Sequence, residues 1–243
     1  MNRRYENDLE GIKNKARLMA ALVEANVGLA LKALRRRDAL LAQRAVDADF
    51  DLDHMERDID DDCLGLLVLH HPVAHPLRRL IALMKVSNTL ERIGDFAVNL
   101  AEYALAHQEA PLPRVPAEVT EAERLLYAIV RNSLDAALDL DGARAYASLE
   151  ACGNLTAFAR RFTKRTCAEA RELAEHPDAA LFQVTVISRF EQIAQFAETA
   201  AQAILALCDD DEIPTVHVQG NQESPASPAR HPDSWQASHS ATS

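Results

Sequence analysis

Two rows of polar, mostly acidic side chains carry most of the chemistry that this sequence offers. Asp49, Asp53, Glu56 and Asp60 stand at i, i+4, i+7 and i+11, and Glu91, Asp95, Asn99 and Glu102 at i, i+4, i+8 and i+11. On a helix either spacing lines one face. Like charges one turn apart destabilise a helix by about 0.2–0.5 kcal/mol per pair, so two such rows facing each other would repel unless a cation lay between them. Oxygen-only ligands suit a hard divalent ion such as Mg²⁺ or Mn²⁺, or iron, rather than Zn²⁺. The same rows also suit the solvated faces of an acidic protein, because Asp58, Asp61 and Asp62 add further acid nearby.

Other kinds of chemistry find less support. His70, His71 and His75 fall in a segment that holds Pro72 and Pro76, and they read as a solvated loop rather than as ligands. Cys63, Cys152, Cys167 and Cys208 are scattered without a Cys-x-x-Cys pair, so reduced packing thiols are expected and a zinc site is not. There is no catalytic triad and no phosphate-cradling glycine loop. Di-iron bundles place a Glu-x-x-His on each of two helices. This chain has only an Asp-x-x-His, Asp51 to His54. A metal-handling or metal-redox bundle of ferritin type is the alternative reading, and the leading expectation is a protein without catalytic activity.

The elements that must position the acids are helices. Seven glycines in 243 residues, few aromatics and abundant Ala, Leu, Glu and Arg predict an all-α chain. A first helix is expected from about Tyr5 to Arg36 with Leu18, Leu22, Ala25, Leu29 and Ala33 inward, its basic end Arg35, Arg36 and Arg37 complementing the helix dipole. A second is expected to follow Asp38 as N-cap, carrying Leu41, Ala45, Leu52, Met55, Ile59 and Leu66 inward. Pro72 and Pro76 must break it. A third then runs to about His107. Residues 1–110 thus make one three-helix bundle.

A blurred echo of the third helix begins one hundred positions later. Glu91 pairs with Glu191, Ile93 with Ile193, Phe96 with Phe196 and Ala97 with Ala197. The apolar stripe of Leu83, Val86, Leu90, Ile93, Ala97, Leu100 and Ala104 returns as Val186, Phe190, Ile193, Ala197, Ala200 and Ile204. A second bundle over 117–208 is therefore expected, with helices over 117–139, 141–175 and 177–207. Pro111, Pro113 and Pro116 form a stiff linker, and 209–243 reads as a disordered tail. The second bundle offers Glu150 with Asn154 and Glu191 with Gln195 for the acid pairs, so a metal site belongs to the first bundle.

A formal net charge of −11 argues against a nucleic-acid partner. No apolar run at the start resembles a signal peptide and none is long enough to span a bilayer, so a cytoplasmic location is expected.

The run Leu90-Glu91-Arg92-Ile93-Gly94-Asp95, followed by Asn99-Leu100-Ala101-Glu102, resembles the signature of the PhoU family. Asp49-Phe50-Asp51-Leu52-Asp53-His54-Met55-Glu56 resembles its second-helix motif, and Pro72-Val73-Ala74, Leu77-Arg78 and Lys85 its entry into the third helix. The likeness runs from about Leu9 to Leu207, departing at Thr89, where the family usually has Asp, and at Phe96, where it often has His. The resemblance implies two pseudo-symmetric three-helix bundles in a cytosolic, often dimeric regulator of phosphate homeostasis. Such a protein negatively regulates the high-affinity phosphate ABC transporter through its ATPase subunit, signals to a sensor histidine kinase, and meets the membrane only through these partners. It also implies surface sites for iron, manganese or magnesium, which here fall on Asp49 with Asp53 and Glu91 with Asp95.

Overall fold

The computed structural model describes residues 3–106, 117–172 and 177–209, all within one compact unit, Met1–Asp211. The proline-rich linker and the expected tail lie outside the described residues. Seven helices run in order: α1 Arg3–Arg36, α2 Ala39–Asp47, α3 Asp49–His70, α4 His75–Ala106, α5 Val119–Asp139, α6 Gly142–Glu172 and α7 Pro177–Asp209. The first four pack as one three-helix bundle, in which α2 and α3 follow each other along one side, and the last three as a second. No strand occurs among the described residues.

The duplication extends to the capping. Arg37 is left-handed (φ 55°) and Asp38 then caps α2, its carboxylate accepting from the Leu40 and Leu41 amides at 3.0 and 3.2 Å. In the second bundle Leu140 is left-handed (φ 53°) and Asp141 accepts from the Ala143 and Arg144 amides at 2.9 and 3.2 Å. Each such cap satisfies amides that a helix start leaves unpaired. The histidine segment ends α3 through a left-handed His71, and Pro76 starts α4 where its missing N–H is harmless.

Two sequence expectations need correction. The second helix is not continuous from Asp38: it breaks at Ala48, so that Asp49 and Asp51 open a new helix. Asp is a poor helix former and is favoured in a first turn by the dipole, and the alternating acids Asp47, Asp49, Asp51 and Asp53 invite such a restart. The inner face of α1 is also not the expected one. Tyr5, Leu9, Ile12, Ala16, Met19, Val23, Val27, Ala30 and Leu34 are buried, whereas Leu18 is 57% and Leu22 37% exposed and Ala25 lies in solvent. Of the expected stripe only Ala33 is buried and Leu29 half-buried.

The α4 stripe is buried throughout, and helix α4 is the hub: α1, α2 and α3 pack on it from the first bundle, α5 and α7 from the second. The contact between bundles runs antiparallel along α4 and α7. Tyr103 meets Phe182 (ring centroids 5.2 Å), Phe96 meets Phe190 edge-on (4.8 Å), and the Arg92 guanidinium covers the Phe196 ring at 4.5 Å. Ion pairs between α1 and α5 add to it, with Arg131 bidentate on Glu24 and Arg35 on Glu123 at 2.9 Å.

Candidate metal site

The two acidic rows are brought face to face by the packing of α3 on α4. The helices pack tightly at Gly94, where an added Cβ would lie 2.8 Å from Leu52 Cδ1. Leu52 is fully buried, so the side chain facing Gly94 has little room to retreat. With no side chain at 94 the backbones draw close, and Asp53 and Glu56 of α3 come within electrostatic reach of Glu91 and Asp95 of α4.

The electrostatic consequence is largest at Glu91. Burial, then the charges of Asp95, Glu56 and Asp53, push its carboxyl up to about 7, against a smaller opposing pull from Arg92. The Asp95 carboxyl is raised by burial and by Asp53 and Glu56, opposed by a hydrogen bond from Glu91 and by Arg92. Asp49 is raised by burial and by Asp53, Asp95 and Glu102. Opposite charge within 4–6 Å would lower all three. The four sequence-predicted residues, Asp49, Asp53, Glu91 and Asp95, therefore share one electrostatic neighbourhood. Glu56 and Glu102 join it, and both stand in the same rows at i+7 and i+11.

Two basic side chains act on it. Arg57 donates to Asp53 across one turn at 3.3 Å, and Arg92 leans away onto Phe196 while donating to Asn88. The Asn88 amide donates to Glu56 at 3.2 Å, and Asn99 turns its amide to the Asp95 carbonyl at 2.7 Å. Asp60, next along α3, is held by Ser87 but leaves its buried Oδ1 without a partner.

The donor set fits a hard divalent cation in charge and in oxygen chemistry. It is not closed around a point: among the described residues, no three His, Cys, Asp or Glu side chains stand in metal-holding geometry. Its acids are spread along two helix faces. The histidines stand apart: His70 meets the edge of the Tyr5 ring (5.5 Å), and His54 Nδ1 lies 2.8 Å from the Phe50 carbonyl of its own helix. Thr89 and Phe96 are buried, Thr89 donating to the Lys85 carbonyl at 2.9 Å and Phe96 packing on Phe190, so neither belongs to the acidic face.

The buried stripe also fixes the register of the second bundle. Leu52, Met55 and Ile59 of α3 return as Cys152, Leu155 and Ala159 of α6 at the same hundred-residue offset. In that register Asp49, Asp53 and Asp60 correspond to Leu149, Gly153 and Arg160, rather than Asp49 and Asp53 to Glu150 and Asn154. Arg160 donates to Glu191 at 3.0 Å.

Residues 16–104 match the PhoU domain family. The chain is 34% identical over 137 residues to a protein of Pseudomonas putida called "Phosphate-specific transport system accessory protein PhoU homolog", covering 56% of this chain and 54% of that one. A Caulobacter vibrioides protein of the same name is 32% identical over 142 residues, covering 58% and 62%. The chain thus spans a little over half the length of the curated relatives it matches. The likeness in three dimensions is longer. The crystal structure of PhoU from Pseudomonas aeruginosa superposes with a TM-score of 0.75 and 27% identity over 84% of this chain and 98% of that one.

The chain resembles PhoU proteins in sequence over its first bundle and shares the PhoU fold. PhoU from Streptococcus pneumoniae shares the fold at a TM-score of 0.74 and 19% identity, over 86% and 99% of the two chains. The PhoU domain match covers the first bundle, where the acidic rows are intact, and the structural likeness carries the PhoU fold through the second.

Proposed function

We propose that this chain is a non-enzymatic regulator of phosphate homeostasis that restrains a phosphate-specific transport system by protein contact. The observation that carries the reading is the likeness of its sequence to accessory proteins of that system from Pseudomonas putida and Caulobacter vibrioides. Its partners in this reading are the transporter's ATPase subunit and a sensor histidine kinase, met on the cytoplasmic side. Among the described residues no helix is long and apolar enough to cross a membrane, which fits access to the membrane through partners.

Asp49, Asp53, Glu91 and Asp95 would hold a divalent cation, Mn²⁺, Mg²⁺ or iron, with Glu56 beside them. The ion supplies positive charge that offsets the mutual repulsion of these carboxylates. Glu91 would give up the proton it shares with Asp95, and the α3 and α4 faces would then be held in one arrangement that a partner can read.

The test is phosphate uptake in cells that lack the gene and are kept in high phosphate. Loss should leave uptake derepressed, and the wild-type chain should restore restraint. Restraint unaffected by the deletion, together with failure of the purified chain to retain the transporter ATPase or the kinase, would overturn the proposal.

A further inference from the structure

The end of the first bundle where α3 turns into α4 gathers unpaired cations and exposed apolar side chains. Tyr5 ties its segments together: the hydroxyl donates to the Pro76 carbonyl at 3.2 Å, the ring meets His70 edge-on, and Arg79 is near enough to act on the hydroxyl's charge. Arg3 and Arg4 at the start of α1 are thereby held at the same end as Arg78 and Arg79 in the first turns of α4. Residues 3–8 and 64–79 hold four arginines against two acids, Glu6 and Asp8, whereas the whole chain carries a formal charge of −11. Arg4 pairs with Asp8 at 4.0 Å. Arg3, Arg78 and Arg79 make no ion pair among the described residues, and the buried Arg79 Nε has no hydrogen-bond partner.

Apolar side chains stand out beside these cations. Val68 is 71%, Leu69 66% and Val73 75% exposed, with Leu64 one turn below Val68. Val73 lies in the turn itself, between left-handed His71 and Ala74 (φ 43° and 53°). The left-handed region is costly for any residue with a Cβ. The backbone is therefore strained on both sides of an apolar side chain that it holds in solvent.

Cations around protruding apolar side chains suit an anionic bilayer, with the apolar groups entering the headgroup boundary and the arginines meeting lipid phosphates. We infer that this end of the first bundle binds the surface of a membrane rich in anionic lipid, directly and in addition to any contact made through partners. A bilayer is favoured over a protein because the apolar side chains project from the tip of a bundle. Lipid yields around such a projection, whereas a protein would have to supply a matching hollow rimmed with acid. The inference uses neither the acidic rows nor the proposed partners, so it stands or falls apart from the proposed function.

Co-sedimentation of the full chain with phosphatidylcholine vesicles, with and without about 30% phosphatidylglycerol, tests it. Chelator is present throughout, so that no divalent ion bridges the acidic rows to lipid phosphate. The wild type should bind the anionic vesicles at least about tenfold more tightly than the neutral ones, and the difference should fade at about 0.5 M salt. Arg3→Gln with Arg78→Gln should weaken that binding by about fivefold per arginine, and Val73→Asp by about tenfold or more. None of these three residues is buried, so circular dichroism and thermal midpoint should not change. Leu18→Asp, at an apolar residue exposed on α1 away from this end, should bind like the wild type. Equal binding to neutral and anionic vesicles, or none to either, overturns the inference, as does binding indifferent to the substitutions. Release from the vesicles by inorganic phosphate, beyond that by chloride of equal ionic strength, would assign the arginines to the free ion and overturn it too. If vesicles are not bound and Val73→Asp instead abolishes retention of the transporter ATPase, the surface belongs to a protein partner and the lipid reading fails.

Discussion

The two bundles solve the same packing problem with opposite electrostatics. Between α3 and α4 the facing side chains are acids coupled to one another, and Glu91 is pushed up to about 7. At the corresponding place between α6 and α7, Arg160 replaces Asp60 and pairs with Glu191 at 3.0 Å, while Leu149 and Gly153 replace Asp49 and Asp53. The second bundle carries its cation as a side chain. The first sets the Glu91 and Asp95 carboxyls among other acids, and the ion pair beside them, Arg57 with Asp53, lies within α3. The sterics are exchanged as well: Gly94 against Leu52 becomes Ala194 against Cys152, so a small residue on one helix is matched by a large one on the other in the first copy only.

The largest expected effect separates the copies directly. With metal stripped and Mn²⁺, Mg²⁺ or Fe²⁺ returned at about a hundred times the dissociation constant, binding to the folded state adds about 2.7 kcal/mol, or a thermal shift of about 5–10 °C for a domain of this size. Differential scanning calorimetry should show that shift in the wild type and in Glu191→Gln, and lose it in Asp95→Asn. An equal loss in Glu191→Gln would erase the distinction between the bundles.

Next in size is the steric swap. Gly94→Ala puts a Cβ 2.8 Å from Leu52 Cδ1; overpacking costs about 1–3 kcal/mol, partly offset by the ~1 kcal/mol that Ala gains over Gly inside a helix. The expected net loss is about 1 kcal/mol by urea denaturation. Adding Leu52→Cys, which copies the second bundle, should recover the steric part, and the double-mutant cycle should show coupling of opposite sign to the single loss.

Protonation of Glu91 gives a pH signature in chelator. Its folded value of about 7 lies above the ordinary 4.5, so the folded state binds the proton more tightly than the unfolded state. That contribution is fully present below about pH 4.5 and is lost as pH rises through 7. Stability of the wild type relative to Glu91→Gln should therefore fall between pH 5 and pH 8, by roughly 1 kcal/mol once solvent screening is allowed for. A difference that grows in favour of the wild type over that range would mean that Glu91 meets a positive charge in the fold.

The smallest effect lies in the second bundle. Arg160 is largely exposed, so Arg160→Ala should cost about 0.5 kcal/mol at low salt and less at high salt. A cost that does not respond to salt would show that the arginine acts through packing of its stem rather than through its charge.

Much of this could be read in advance, for identifiable reasons. The α4 stripe from Leu83 to Ala104 was legible because its spacing of three and four is unbroken, but the second buried strip of α4, where Phe96 packs on Phe190 of α7, depends on the other bundle and was not. Asp38 announced its helix because an N-cap is a local bond between neighbours in sequence. The Ala48 break was missed because an apolar period carries across a one-residue joint without interruption. In α1 the period could not choose between two apolar faces, and the outward one was taken for the inward.

The sequence by itself determined the helices, their duplication and the two acidic rows, because each depends on periodicity or on contacts within a few residues. It could not determine that the rows confront one another. That depends on the packing of α3 on α4, which leaves half-buried and exposed acids from separate helices to share one electrostatic neighbourhood. Nor could it say which face of α1 would be covered, since burial is a property of the assembled bundle and both faces offer similar side chains. Tertiary packing decided both, and with them where the chain's uncompensated charge and its free apolar surface lie.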